Sequence, residues 1–336
     1  MRPPAFWDAD AERSSGRLTR ALLSPLGALY AAATARRIAR TVPAPAPAPV
    51  ICVGNLTLGG TGKTPVTIAL MEAGRALGLK PAGLSRGWGG TLKGPLKVEP
   101  GLHGARDVGD EPLLIARAGP AYIDPGRVEG ARLAVSEGAN LIVMDDGHQN
   151  PKLEKTCSIV VVDAVSGWGA GQVFPAGPLR EPVAAGLARA HAVVVMVPGA
   201  TYQPDYAGLG LSDLAIPVLK AWLEPQDSPP AEPLLAFAGI GRPQKFFDAL
   251  TAAGGNLADT ASFPDHHAYS RSQINHLADL ASAHGARLIT TEKDWVRLPG
   301  DVRHSVTGWP VRARFEHPAR LDALIQDAVD AFSARG

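Results

Sequence analysis

The chain has 336 residues, 46% of them hydrophobic and 19% charged, which supplies apolar material for one large or two ordinary globular units and excludes a disordered chain. Its 33 basic and 32 acidic side chains leave a net charge of +1, so no overall field gathers polyanions and no nucleic-acid partner is expected. Two isolated cysteines, Cys52 and Cys157, form neither a disulfide framework nor a zinc set and fit a reducing compartment.

Residues 1–42 read as an N-terminal arm. Its stretch 21–35 is uncharged and largely apolar, preceded by Arg13, Arg17 and Arg20 and followed by Arg36, Arg37 and Arg40. As a helix that stretch reaches about 22 Å, short of the bilayer core of about 30 Å. Pro25 and Gly27 weaken a span further, and the flanking arginines predict a helix lying in the headgroup region of a membrane surface. Two other readings compete. Ala33-Thr34-Ala35 imitates a signal-peptidase site, although Asp8, Asp10 and Glu12 dilute the basic start of a leader; and the helix could simply pack on its own protein.

Residues 43–49 alternate proline with alanine, a stiff connector into the apolar strand 50–53. From there a unit spanning 43–227 alternates predicted strands (50–53, 81–84, 140–144, 158–163, 192–197) with helices (65–77, 111–118, 127–137). Continuous β-branched runs between helices predict an α/β fold, a mostly parallel sheet covered by helices, which binds ligands beyond the carboxyl ends of its strands. After a linker at Ser228-Pro229-Pro230, a smaller C-terminal α/β unit over 228–336 is expected: strands 233–238 and 287–291, helices 243–253, 270–284 and 319–332.

Thr57-Leu58-Gly59-Gly60-Thr61-Gly62-Lys63-Thr64 follows a strand and opens a helix, the context of a phosphate-binding P-loop. Glycines let backbone N–H groups converge on phosphate oxygens, and the helix N-terminus adds partial positive charge. Lys63 then reaches the β- and γ-phosphates of ATP, and the Thr64 hydroxyl binds Mg2+. The sequence departs from the usual pattern at Thr57, where the first glycine of the loop would stand. Asp145 and Asp146 end an apolar strand where such proteins place a magnesium-holding carboxylate; because side chains alternate along a strand, one should face the metal and the other should orient water, lysine or backbone. Asp110 at a helix start reads as an N-cap when taken alone, and Asp265-His266-His267 reads as surface loop chemistry.

Seven segments in this order are similar to one family: Val53-Gly54-Asn55-Leu56-Thr57 into the P-loop, Ser85-Arg86-Gly87-Trp88-Gly89-Gly90, Gly109-Asp110-Glu111-Pro112, Asp145-Asp146-Gly147-His148-Gln149, Pro175-Ala176-Gly177-Pro178-Leu179-Arg180-Glu181, Phe263-Pro264-Asp265-His266-His267 and Thr291-Glu292-Lys293-Asp294. Together with Pro4-Ala5-Phe6-Trp7 they resemble the tetraacyldisaccharide 4'-kinases of lipid A biosynthesis. The resemblance implies a monomeric, ATP- and magnesium-dependent kinase acting on an acylated glucosamine disaccharide 1-phosphate at the cytoplasmic face of the bacterial inner membrane. It also implies that Asp110 is the catalytic base, with His266 pairing to it from the second unit, and that Asn55, Arg86, Trp88, Glu111, Arg127 and Gln149 line the acceptor side or support it. Two rivals keep the P-loop: a nucleotide-driven switch with a protein partner, and a soluble kinase of a small metabolite.

Overall fold

The computed structural model describes residues 4–8 and 14–335; Asp10, Glu12 and Arg13 lie outside the described residues. In chain order the helices are α1 (Ser14–Arg40), α2 (Lys63–Ala76), α3 (Ala105–Val108), α4 (Asp110–Ala118), α5 (Val128–Ser136), α6 (Val183–Leu187), α7 (Pro243–Ala252), α8 (Arg271–Ala283), α9 (Glu292–Trp295) and α10 (Pro318–Ser333). The strands are β1 (Val50–Gly54), β2 (Pro81–Ser85), β3 (Leu96–Lys97), β4 (Ala121–Ile123), β5 (Leu141–Asp145), β6 (Cys157–Asp163), β7 (Ala192–Val197), β8 (Val218–Pro225), β9 (Leu234–Ala238), β10 (Leu257–Ser262), β11 (Arg287–Thr291), β12 (Val306–Trp309) and β13 (Val311–Phe315).

Nine strands form one sheet in the order β13-β8-β7-β6-β1-β5-β2-β4-β3, and four form a second in the order β10-β9-β11-β12. The second sheet is parallel throughout. In the first, only the edge strands β13 and β3 run antiparallel to their neighbours. Alternation along β1 divides the core: Ile51 and Val53 face the layer that also holds Leu70, Ile115 and Ile325, whereas Val50 and Cys52 face the layer with Ala131 and Leu153. Each fully buried aliphatic side chain contributes about 1.5–3 kcal/mol, so a two-faced core of this kind is the main stabilising element. Both cysteines are free and buried.

Three features differ from the sequence reading. Helix α2 starts at Lys63, two residues earlier than expected, because Pro65 falls in the first turn, where its missing N–H breaks no helical hydrogen bond. Helix α1 runs 27 residues straight through Pro25; the Ala21 carbonyl that Pro25 cannot serve accepts instead from the Ser24 hydroxyl at 2.9 Å. And the chain returns from the second sheet to the first. Strand β13 pairs with β8, and α10 buries Leu321, Leu324 and Ile325 in the same layer as α2, so the expected 228–336 unit does not keep its last strand and helix. The two crossings run side by side, with the Gln226 N–H donating to the Pro310 carbonyl at 3.0 Å.

Among the described residues no helix is long and apolar enough to cross a membrane. Leu18, Leu22, Leu26 and Leu29 nevertheless stand 53–70% exposed along α1. The helix sits on the 173–175 loop: a Cβ at Gly27 would lie 2.8 Å from the Val173 carbonyl, and Tyr30 packs edge-on against Phe174.

Candidate active site

The turn between β1 and α2 sits at the carboxyl end of the first sheet. Gly59 and Gly62 adopt φ of 123° and 89°, which L side chains disfavour, and a Cβ on Gly59 or Gly60 would meet nothing within 4 Å. The turn is therefore an open cradle of backbone N–H groups. Thr57 stands where the pattern has glycine because the backbone there needs no positive φ: it makes an antiparallel bridge with Leu179, and the Leu58 N–H donates to the Pro178 carbonyl at 2.7 Å.

Around the cradle the two aspartates divide. Asp145 is buried and accepts from the Thr64 hydroxyl at 3.2 Å and the Thr67 hydroxyl at 3.0 Å. Burial, with Glu111 adding repulsion, pushes its carboxyl up to about 6. Asp146 turns the other way, 3.7 Å from the Lys63 ammonium and 2.8 Å from Arg180. Burial alone would raise its carboxyl, but the two cations outweigh it and hold it below the usual range. Burial lowers the Lys63 ammonium, partly offset by Asp146.

Asn55 ties the turn together through its amide, which donates to the Gly59 carbonyl at 3.4 Å; the Gln149 amide donates to the Asn55 carbonyl at 2.9 Å and to Glu181 at 3.0 Å. Glu181 in turn accepts from Arg189 Nη2 on both of its oxygens at 2.8 Å. Buried His148 backs the turn, and a Cβ on Gly54 would lie 2.4 Å from its Cβ, so only glycine ends β1 there. Arg127 is buried with its guanidinium donating to the carbonyls of Asp124, Pro125 and Asp146. Arg86 and Trp88 pack on each other at the exposed end of β2, 5.3 Å apart, without joining this cluster through any hydrogen bond or ion pair of their side chains.

Among the described residues, four buried side-chain polar atoms have no hydrogen-bond partner: Asn55 Oδ1, Thr61 Oγ1, Arg127 Nε and Arg180 Nε. All four belong to this neighbourhood. Buried polar groups are nearly always paired, so unpartnered donors around an open glycine turn fit an anionic ligand. For a cation, the buried Asp145 carboxylate beside the Thr64 hydroxyl is a hard-oxygen donor set that fits Mg2+.

Asp110 opens α4 on the same side of the sheet. Its Oδ1 accepts the Glu111 N–H at 3.1 Å, while its Oδ2 lies 3.3 Å from His266 Nδ1 and 3.8 Å from the Lys293 ammonium. Burial alone would raise this carboxyl, but His266, Lys293 and Arg297 together hold it well below the usual carboxylate range. Glu111 faces Lys293 at 3.6 Å, and burial and Asp110 raise its carboxyl. Arg127 (φ 74°), Asp146 (φ 49°) and His266 (φ 57°) are the non-glycine residues with left-handed backbone among those described. Each such conformation costs about 1–3 kcal/mol, and all three cluster here.

Sequence reasoning missed Arg297, which grips Asp110 from the second unit, and left Lys293 and Arg180 without roles. Arg180 stood in a quoted segment. Arg297 carries no local signal except its spacing three residues after Asp294.

A family model described as tetraacyldisaccharide-1-P 4'-kinase, LpxK, matches residues 19–330. The tetraacyldisaccharide 4'-kinase of Maricaulis maris is 58% identical over 332 residues, covering 98% of this chain and 97% of the relative. That of Caulobacter vibrioides is 54% identical over 315 residues, covering 92% and 93%. Among solved structures, LpxK from Aquifex aeolicus in complex with ATP superposes with a TM-score of 0.74 at 26% identity, covering 92% of this chain and 99% of that one. The chain thus belongs to the tetraacyldisaccharide 4'-kinase family.

Proposed function

We propose that this protein transfers the γ-phosphate of ATP to the 4'-hydroxyl of a tetraacylated glucosamine disaccharide 1-phosphate, working as a monomer at the cytoplasmic face of the bacterial inner membrane. The observation that carries the reading is the set of unpartnered buried donors on Thr61, Arg127 and Arg180 around the open turn at Gly59 and Gly60. A triphosphate laid in that turn satisfies them, with Lys63 on its β- and γ-oxygens.

Thr64 and Asp145 would hold Mg2+, with Asp146 beside them, and the bound ion neutralises charge on the β- and γ-phosphates. The remaining work falls to side chains of this chain. Asp110 accepts the proton of the sugar hydroxyl as the new O–P bond forms and the bond to the β-phosphate oxygen breaks, releasing ADP. Phosphoryl transfer is loose, so that proton leaves late and a carboxylate of low pKa suffices; position counts for more than basicity. His266 orients Asp110 from the second unit. The two adjacent, oppositely directed crossings after Pro225 and before Val311 let that unit close on the nucleotide and bring His266 against Asp110. Arg86, Trp88 and Glu111 line the acceptor side, where the arginine meets phosphate.

A four-chain lipid leaves a bilayer at a cost of about 0.8 kcal/mol per exposed methylene, so the enzyme has to come to it. The exposed leucines of α1, with Arg17, Arg20, Arg36, Arg37 and Arg40 along the same helix, suit that peripheral position.

The test is labelled ATP incubated with the protein and the disaccharide 1-phosphate in mixed micelles. A labelled bis-phosphorylated lipid is expected; brisk ATP turnover with no labelled lipid overturns the proposal and favours a nucleotide switch.

A further inference from the structure

Arg297 lies just beyond α9, its side chain only 5% exposed. It reaches across the seam between the two units with every arm of its guanidinium engaged. Nη1 donates to the Gly239 carbonyl at 2.9 Å and to Asp294 at 3.0 Å. Nε donates to Asp110 Oδ2 at 2.8 Å, and Nη2 is bonded to the same oxygen and lies 3.2 Å from His266 Nδ1. Asp294 is itself fixed: fully buried, it accepts from the Tyr269 hydroxyl at 3.0 Å and the Thr291 hydroxyl at 2.7 Å. A chain of rigid contacts thus runs from the floor of the second unit to one oxygen of Asp110.

All contacts from the second unit, those of His266, Lys293 and Arg297, fall on Oδ2, whereas Oδ1 accepts only the Glu111 N–H. We infer that Arg297 is a positioning residue for phosphoryl transfer: its fork anchors Asp110 through Oδ2 and holds Oδ1 where it can take the proton of the acceptor hydroxyl. This rests on Asp110 being the base. Two N–H groups of one rigid guanidinium converge on Oδ2 and pin that oxygen from two fixed directions, which the single ammonium of a lysine does not. Misplacement of a reacting group by about 1 Å costs on the order of 10²-fold in rate.

The experiment measures transfer from ATP to the disaccharide lipid for R297Q, R297K, D110N and the double variant D110N/R297Q. R297Q should lower kcat about 10- to 100-fold with little change in either KM, and R297K should recover part of that loss. In the D110N background, R297Q should change the residual kcat by less than about twofold, because nothing is left to position. Wild-type kcat in R297Q, or a full multiplicative loss in the double variant, overturns the assignment. Should thermal melting show that R297Q does not fold, R297K carries the test: a several-fold drop in kcat with unchanged melting supports the assignment, and wild-type kcat refutes it. If D110N alone keeps wild-type kcat, the reading of Asp110 as base falls instead, a separate outcome.

Discussion

The two ends of this site are assembled by different means. At the proposed phosphate end, Lys63, Thr64, Asp145 and Asp146 come from adjoining strand ends of one sheet, and the longest reach is the 83 residues between Lys63 and Asp146. At the proposed acceptor end, Asp110 meets partners from the unit of the second sheet, Arg297 being 187 residues away. The first end is as rigid as the core beneath it. The second is as precise as the seam between the units, and two adjacent crossings govern that seam. A mutation in the core should therefore trouble stability first, and one at the seam should trouble rate first.

The largest expected effect sharpens the phosphate end. Lys63→Ala should lower phosphoryl transfer by about 10³-fold while leaving thermal melting close to wild type, since a buried ammonium whose proton affinity is already lowered by burial adds little to the fold. Transfer within tenfold of wild type would break the comparison outright.

At the seam, His266→Ala should cost about 10²-fold in kcat with the KM for ATP nearly unchanged, because it touches the acceptor end alone. A rise in the ATP KM with unchanged kcat would mean that His266 belongs to nucleotide binding.

Asp145 offers a pH test. Its folded-state carboxyl binds a proton more tightly than in the unfolded chain, so the ligand-free protein is destabilised by this group above about pH 6, and the penalty fades as pH falls toward 4. Asp145→Asn should raise the unfolding free energy by roughly 2 kcal/mol at pH 8, by about half of that at pH 5 and by almost nothing near pH 3, followed by denaturant titration without nucleotide. A loss of stability at pH 8 would show that the charge is compensated in the fold.

The smallest effect lies outside both ends. Leu22→Ser on α1 should weaken vesicle binding by about tenfold and leave transfer to detergent-solubilised acceptor unchanged. Unaltered sedimentation with vesicles would return α1 to a packing role.

The same contrast explains what the sequence made legible. Val50–Gly54, Leu141–Asp145 and Ala192–Val197 are buried at every position, so they read as continuous apolar runs, and the P-loop declared itself in the turn after the first of them. Strand Leu257–Ser262 is a polar edge with mostly exposed residues and left no such trace. Val311–Phe315 alternates with arginines and joins its sheet by pairing with Val218–Pro225, a contact no local pattern encodes. Asp110 looked like a helix cap, and His266 like a surface loop residue, until they were read together through the family resemblance. Arg297 remained hidden because its partners are set by how the units meet.

The most direct test is the crystal structure with a non-hydrolysable ATP analogue and Mg2+. The account predicts the triphosphate lying across Gly59 and Gly60, bonded to Lys63 and the arginine Nε groups, with its terminal phosphorus facing Asp110. An analogue bound elsewhere, with the amides of residues 59–64 tied up by protein groups, would contradict it.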